Sequence, residues 1–584
     1  MGLEELLAEA GGMGRFQVII LSIAFIGRTF CGWSMFQMTF AGIVPDFHCE
    51  TQGGPDYDRL PSNVTLNSCS VPHNTSDQAP GHLDCITYNF TGPYKTVMKD
   101  FALVCDQSWI KGAVTSIQMA GLMVGCISAG QLGDAVGRWK TNLLFVIILS
   151  LSNISAAFSP DWEVFAACRF FIGLGIGGIL VSSFTLVLEF FPTKWRPLTS
   201  VVPSWTIGVS LFALFSYLLQ DWRKLHLLCG ACGLIQVPLL FFVPESLRWL
   251  AVKGHIERAE ATVDKMARWN GRPCVSRAKE TLQMVYEEEK KAREKSQRYT
   301  YLDIIRPWST AKITLIMCYH WFSYSLAYYG ISFGISDLAG NFFVNVFLMG
   351  VLEVPFRMAT FYTNNKVGRK LSAFPFVVLA LGCSVGCMIL EITVGNSQTI
   401  TVLSLVAQTG ISVAWCVIQT WGNELYPTVI RKLSYGASNT AARISGILAP
   451  ILINFEDRML MSYSIMAGFL AVDAVLILLL PETKGQELPD RINEIDSTHA
   501  VESEAQRIKS PHYSAKKKSG QNNYGSSLTI EDPDFGGKQG FREKVAYVNH
   551  SVNLSDEQDH KSTQANGDTS SPNNQEEHSI NVRL

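Results

Sequence analysis

Gly130-Gln-Leu-Gly-Asp134-Ala-Val-Gly137-Arg138-Trp-Lys140 stands between two apolar runs, and a reduced copy, Asn365-Lys-Val-Gly368-Arg369-Lys370, stands between two more. The second glycine follows the first by 231 residues. Two further motifs repeat in the same order. Glu189-Phe-Phe-Pro192-Thr-Lys-Trp-Arg196 returns as Glu424-Leu-Tyr-Pro427-Thr-Val-Ile-Arg431 at an offset of 235, and Pro244-Glu245-Ser246 as Pro481-Glu482-Thr483 at 237. Three ordered matches at nearly one offset read as a duplicated unit.

Each unit holds six apolar runs. Approximate spans fall at 16–44, 109–131, 141–159, 163–190, 198–219 and 223–243, then at 312–335, 341–363, 371–391, 398–423, 433–455 and 459–480. A hydrocarbon core of about 30 Å needs about 20 apolar residues per helix. The first run is too long for a signal-peptide core and lacks a small-residue cleavage site, so it reads as a first span. The expected organisation is an N-terminal six-helix bundle over 1–250 with a large loop at 45–108, and a linker over 251–311. A C-terminal bundle over 312–484 and a disordered tail over 485–584 complete it.

Composition agrees. The 584 residues carry 48 basic and 50 acidic side chains, a formal charge of −2, and charged residues make up only 17%. Such a balance argues against a basic nucleic-acid binder. Mean hydropathy is +0.16, because polar loops and tail dilute the spans. Basic residues set the orientation. Arg138, Lys140, Lys194, Arg196, Lys366, Arg369, Lys370, Arg431 and Lys432 lie in loops after spans 2, 4, 8 and 10, whereas the opposite loops hold Arg223, Lys224 and Arg458. The first set is expected to face the cytosol, with both termini.

Loop 45–108 then faces outside. Cys49, Cys69, Cys85 and Cys105 suit two disulfides in an oxidising compartment, and Asn63, Asn74 and Asn89 head glycosylation sequons. Sequons at Asn549 and Asn553 fall in the tail, on the cytosolic side. The tail is rich in Ser, Asn, Gln and charge, too polar to fold alone. Its end, Asn581-Val582-Arg583-Leu584, has the form of a PDZ-domain ligand, with Val582 and Leu584 in pockets.

Together these motifs resemble the major facilitator superfamily, and within it the organic-ion transporters of solute carrier family 22. The family resemblance rests on the cysteine-bearing first loop, Val104-Cys105-Asp106-Gln-Ser-Trp109, Trp222-Arg223, Pro244-Glu-Ser-Leu-Arg248-Trp249-Leu250 and Tyr328-Tyr329-Gly330. It runs from about residue 10 to 485. The resemblance implies an all-α membrane protein of twelve transmembrane helices in two six-helix bundles that rock about a central site. It assigns gating to Asp134, Arg138, Glu189, Arg196, Arg369, Glu424 and Arg431. Asn365 replaces the carboxylate that the first loop has at Asp134, so the second gate should lack that interaction.

An ionisable group at membrane depth costs at least about 2.5 kcal/mol on insertion scales and is a functional candidate by default. Arg28 lies about 18 Å into span 1 at 1.5 Å per residue, and Arg443 near the middle of span 11. Span 8 reads Glu353-Val-Pro355-Phe-Arg357, similar to an acid-x-Pro-x-base pattern of the organic-anion branch. Arg443 stands where the cation branch typically has Asp. Guanidinium groups suit bidentate carboxylate recognition, so anionic or zwitterionic substrates, carnitine-like molecules included, are expected. Simple neutralisation of Glu353 by Arg357 at i,i+4 is the plainer alternative. Arg28 has Asp473 in span 12 as a candidate partner. Gln408 stands where relatives usually have a basic residue.

Trp321, Tyr324 and Tyr328 share one helical face of span 7, with Tyr329 beside it, and offer an aromatic wall. By resemblance, Trp415 and Gln419 in span 10 and Trp205 in span 5 line the same cavity. His320 beside this face is a candidate proton relay, or simply a hydrogen-bonded helix residue. An organic-cation transporter is the main alternative, and a non-transporting receptor on the same fold the alternative of a different class. Gly173-Leu-Gly175-Ile-Gly177-Gly178 contains Gly-x-Gly-x-x-Gly but follows no strand, so close helix packing explains it better than a dinucleotide. No ATP-binding, metal-binding or catalytic motif stands out. The expectation is a plasma-membrane transport unit, monomeric, without cofactor or metal, whose partners are a small organic ion and the lipid bilayer.

Overall fold

The computed structural model describes residues 3–485 apart from 51–68, 74–80, 86, 197, 296–300, 394–396, 428–429 and 454–457. All of these belong to one compact unit. Asn63, Asn74 and the C-terminal tail lie outside the described residues.

Among the described residues, twelve helices correspond to the twelve apolar runs. The first six are α1 (Arg15–Ala41), α2 (Trp109–Val136), α3 (Arg138–Ala157), α4 (Trp162–Leu188), α5 (Ser204–Leu219) and α6 (Trp222–Leu240). The second six are α7 (Trp308–Phe333), α8 (Phe342–Lys366), α9 (Arg369–Thr393), α10 (Ser397–Leu425), α11 (Arg431–Ile453) and α12 (Arg458–Leu479). Among the described residues, eight of these helices are long and apolar enough on their own to cross a membrane. The other four are α5, which is short, and α6, α7 and α11, whose polar and charged residues lower their mean hydropathy. Span 5 begins later than its expected start at 198: Leu198–Val201 forms a separate short helix, and α5 starts after Pro203. Proline lacks the N–H that would continue the ladder and suits a helix start.

Packing repeats between the halves. α4 lies on α2 and α3, and α3 on α6; α10 lies on α9 and α8, and α9 on α12. The α2–α4 seam is built on glycines. A Cβ at Gly121, Gly125, Gly173 or Gly177 would collide with the backbone of the opposing helix, and one at Gly175 or Gly178 with Leu149 or Phe145 of α3. The Gly-rich run therefore brings helices close, as small residues do in membranes. The halves meet through α2 on α11 and α5 on α8, again related by the repeat.

The charged segment between the halves is largely helical: Leu247–Val252, Ile256–Trp269 and Ala278–Lys295 pack on one another. Asn270 clasps them to the start of α1, accepting from Phe16 N at 3.0 Å and donating to Ala10 O at 3.0 Å and Gln17 Oε1 at 3.1 Å. At the opposite end of the bundles the large first loop folds as β1 (Phe47–Glu50), β2 (Ser70–His73), β3 (Gly81–Asp84) and β4 (Thr87–Phe90). β1 pairs with β4 and β2 with β3, both antiparallel. Cys69 is bonded to Cys105, and Cys85 is also disulfide-bonded; the Cys49 side chain lies outside the described residues. Asn89 sits on β4. The Trp222-Arg223 pair ties this loop down: Trp222 Nε1 donates to Asp100 Oδ2 at 3.0 Å, and Arg223 reaches the same carboxylate at 3.3 Å.

Candidate functional site

At the linker end, the three repeated motifs of each half meet. The positive φ of Gly137 (+117°) and Gly368 (+112°) turns the chain into α3 and α9. Glu245 accepts from Trp139 N at 3.0 Å; Glu482 accepts from Arg369 N and Lys370 N, both at 2.9 Å. Each carboxylate thus sits on the positive end of a helix dipole. It sits so close that a Cβ on the glycine would strike it. Arg138 pairs with Asp134 at 2.6 Å and with Glu189 at 3.5 Å. In the second half Arg369 pairs with Glu424 at 2.7 Å and donates to Asn364 O at 3.1 Å. Ser246 and Thr483 complete the clusters by bonding Glu189 and Glu424. Arg196 bonds Phe191 O and Arg431 bonds Tyr426 O, each five residues back along the chain, and Arg196 also pairs with Glu4. Glu245 and Glu482, absent from the expected gate set, are its centres. Their signal was the repeat of Pro-Glu-Ser as Pro-Glu-Thr.

Between the halves a second group converges. Arg443 donates to Tyr329 Oη at 3.5 Å, and Trp205 Nε1 to Tyr328 Oη at 3.2 Å. Trp415 lies edge-on to Trp321, Tyr328 and Tyr329, with ring centroids 5.9–6.4 Å apart. Tyr435 of α11, absent from the expected set, packs on Trp321 at 5.1 Å and acts electrostatically on both Arg28 and Arg443. Gln419 is half-buried one turn beyond Trp415. Arg357 is half-buried on α8, and Glu353, one turn before it, is 1% exposed. The two side chains form no hydrogen bond; Glu353 Oε2 instead accepts from Ser412 Oγ at 2.8 Å. The nitrogens Arg28 Nε, Arg357 Nε, Arg443 Nε and Trp415 Nε1, with the oxygen Glu353 Oε1, are buried without a hydrogen-bond partner. Buried polar groups are ordinarily satisfied. Other buried atoms elsewhere, such as Arg169 Nε and Asp473 Oδ2, also lack a partner, so it is the grouping of these five with the aromatic rings that makes this region the candidate site.

Other expected contacts are different. Arg28 does not reach Asp473: it donates to Thr199 O at 3.0 Å and lies 5.1 Å over the Phe184 ring. Asp473 pairs with His320 at 2.5 Å, both fully buried. Tyr324 leaves the aromatic wall and stacks on His320, because it lies about 60° round the helix from Trp321. Gln408 donates to Ser332 Oγ at 2.8 Å and is fully buried. A further cation was not singled out from sequence. Arg169 of α4 is fully buried, bonded to Gln37, Gln118 and His226. Its place near one end of an apolar run disguises it as a flanking charge.

At the first-loop end the halves close on each other. Phe343 packs on Phe40 at 6.2 Å, Tyr94 at 5.8 Å and Tyr217 at 5.4 Å. Lys111 of α2 meets Asp337 after α7 at 3.6 Å and donates to Ser336 Oγ at 3.2 Å. The ion pairs described at the linker end each lie within one half.

A family model described as "Sugar (and other) transporter" matches residues 19–494. The human organic cation/carnitine transporter 2 is 31% identical over 68% of this chain and 72% of its own length. Solute carrier family 22 member 7 of Bos taurus is 29% identical over 86% of this chain and 98% of its own. The chain belongs to solute carrier family 22 of the major facilitator superfamily. Organic anion transporter 3 of Oryctolagus cuniculus is a further relative, 27% identical over 85% of this chain and 94% of its own length. In fold, this member of the family resembles the xylose transporter XylE of E. coli in its inward open conformation, with a TM-score of 0.57 at 17% identity over 82% of this chain and 99% of that one. Members of this superfamily are transporters, not enzymes.

Proposed function

We propose that the protein carries small organic anions or zwitterions, carboxylates above all, across the plasma membrane by alternating access. One observation carries the reading. Arg28, Arg357 and Arg443 come from helices of both halves, and each is half-buried with an Nε lacking a partner. A carboxylate bridging two such forks supplies charge-assisted, bidentate hydrogen bonds that water alone does not. Tyr328, Tyr329, Trp321, Trp415 and Trp205 cover the apolar body of the substrate, and the Asp134, Arg138, Glu189, Arg369 and Glu424 clusters hold the linker ends of each bundle. The first loop is read as extracellular, glycosylated at Asn89, with Asn63 and Asn74 as further acceptors. Both termini are read as cytosolic, and the C-terminus as a PDZ ligand. Closure at the first-loop end makes this conformation inward-facing.

The test is uptake of a labelled organic anion, carnitine and tetraethylammonium in cells, each competed by the others. Saturable uptake of the anion or carnitine, with tetraethylammonium ignored, is expected. The second reading, an organic-cation transporter, is favoured by Glu353 beside the aromatic wall, and preference for tetraethylammonium would establish it instead.

A further inference from the structure

We propose that Glu353 is a proton site and that each carboxylate crosses together with one proton. The proposal rests on the carboxylate reading and adds the coupling ion to it. Glu353 lies eleven residues into α8, about 17 Å along the axis and near mid-depth. Among the described residues, the other buried acids named above each have a cationic or helix-end partner that Glu353 lacks in direct contact, although Asp473 Oδ2, like Glu353 Oε1, accepts no hydrogen bond. Asp473 has His320, Glu189 and Glu424 have arginines, and Glu245 and Glu482 cap helices. Glu353 accepts from the Ser412 hydroxyl and is faced by the Tyr328 hydroxyl, while its Oε1 has no hydrogen-bond partner in the structure.

The groups facing it come from three helices. Arg357 lies on α8 itself, Tyr328 on α7, and Ser412 on α10 with Cys416 beyond it against Arg357. Trp205 of α5 holds the Tyr328 hydroxyl. Arg443 acts on the neighbouring Tyr329 instead. Among the described residues Arg357 is therefore the cation acting directly on this carboxyl, and it balances Glu353 through space without an ion pair. With Glu353 ionised, a substrate carboxylate at Arg357 would leave one buried negative charge uncompensated, which is costly. A proton from water added to Oε1 breaks the competition: the Glu353 charge is cancelled, and Arg357 is left for the incoming anion. One proton and one carboxylate enter, so no net charge moves. On the other side the carboxylate leaves, Oε1 returns its proton to water, and Glu353 again balances Arg357. α8 is a suitable carrier for this exchange, because it is the helix that packs across the halves on α5.

The experiment uses the full chain in proteoliposomes with a trapped pH dye and labelled hippurate as probe. With the outside more acidic, wild type should concentrate hippurate, up to about tenfold per pH unit at equilibrium. Added hippurate should acidify the lumen. Glu353→Gln should still equilibrate hippurate but neither concentrate it nor move protons. Hippurate carried without proton movement, or concentrated by Glu353→Gln, overturns the proposal and leaves the carboxylate reading standing. No carriage of hippurate or other carboxylates by wild type overturns both. If Glu353→Gln fails to reach the membrane, Ser412→Ala decides: it should move the pH of half-maximal uptake, and an unmoved midpoint counts against Glu353.

Discussion

A guanidinium buried without a counter-charge is costly, so its removal should be tolerated by the fold and felt by the substrate. Arg443 bonds only the Tyr329 hydroxyl among the described residues. Arg443→Ala should therefore leave surface expression intact. It should remove a charged hydrogen bond of about 1.5–3 kcal/mol, weakening carboxylate affinity about 10- to 150-fold, as read by uptake kinetics with surface labelling. Arg443→Asp should shift preference towards cations in the same assay. The opposite behaviour is expected at Gly137, where the backbone itself is special. Its φ of +117° and the Glu245 carboxylate above it both exclude a side chain. Gly137→Ala should cost about 1–3 kcal/mol and lower the melting temperature. Gly130→Ala, seven residues earlier with open space around it, should be neutral or slightly stabilising.

Helices in lipid associate through close packing rather than through hydrophobic expulsion, so the α2–α4 seam depends on what glycine lacks. Gly173→Leu should prevent that seam from closing and abolish surface expression, measured by labelling intact cells. The element pattern was legible because long apolar runs, loop charges and a thrice-repeated offset are local signals. Arg28, Arg357 and Arg443 were legible for the same reason, as charges conspicuous in apolar surroundings. What remained hidden depends on the register between helices. Whether Asp473 faces Arg28 or His320 is set by how α12 rotates against α7, and a single chain records no such rotation. The bond from Gln408 to Ser332 and the turn of Tyr324 away from the wall belong to the same class. The start of α5 beyond Pro203 was signalled by the proline itself.

At the scale of the whole molecule, the aromatic cluster around Phe343 and the Lys111–Asp337 pair hold the two halves together at the first-loop end. Lys111→Ala should ease opening at that end, by about 1 kcal/mol or less for a partly exposed pair. Thiol labelling of a cysteine placed at Tyr217 should then quicken several-fold, with labelling at a linker-end cysteine slowed. The helices between Leu247 and Lys295 are fastened by Asn270 to α1, so they travel with the first half. Among the described residues the halves meet chiefly through α2–α11 and α5–α8, with the Phe343 cluster, the Lys111–Asp337 pair and the Trp205–Tyr328 bond beside them. The polypeptide between Lys295 and Tyr301 then needs to be only a tether. Two separately synthesised chains, divided there, should find each other in one cell and transport as the intact protein does.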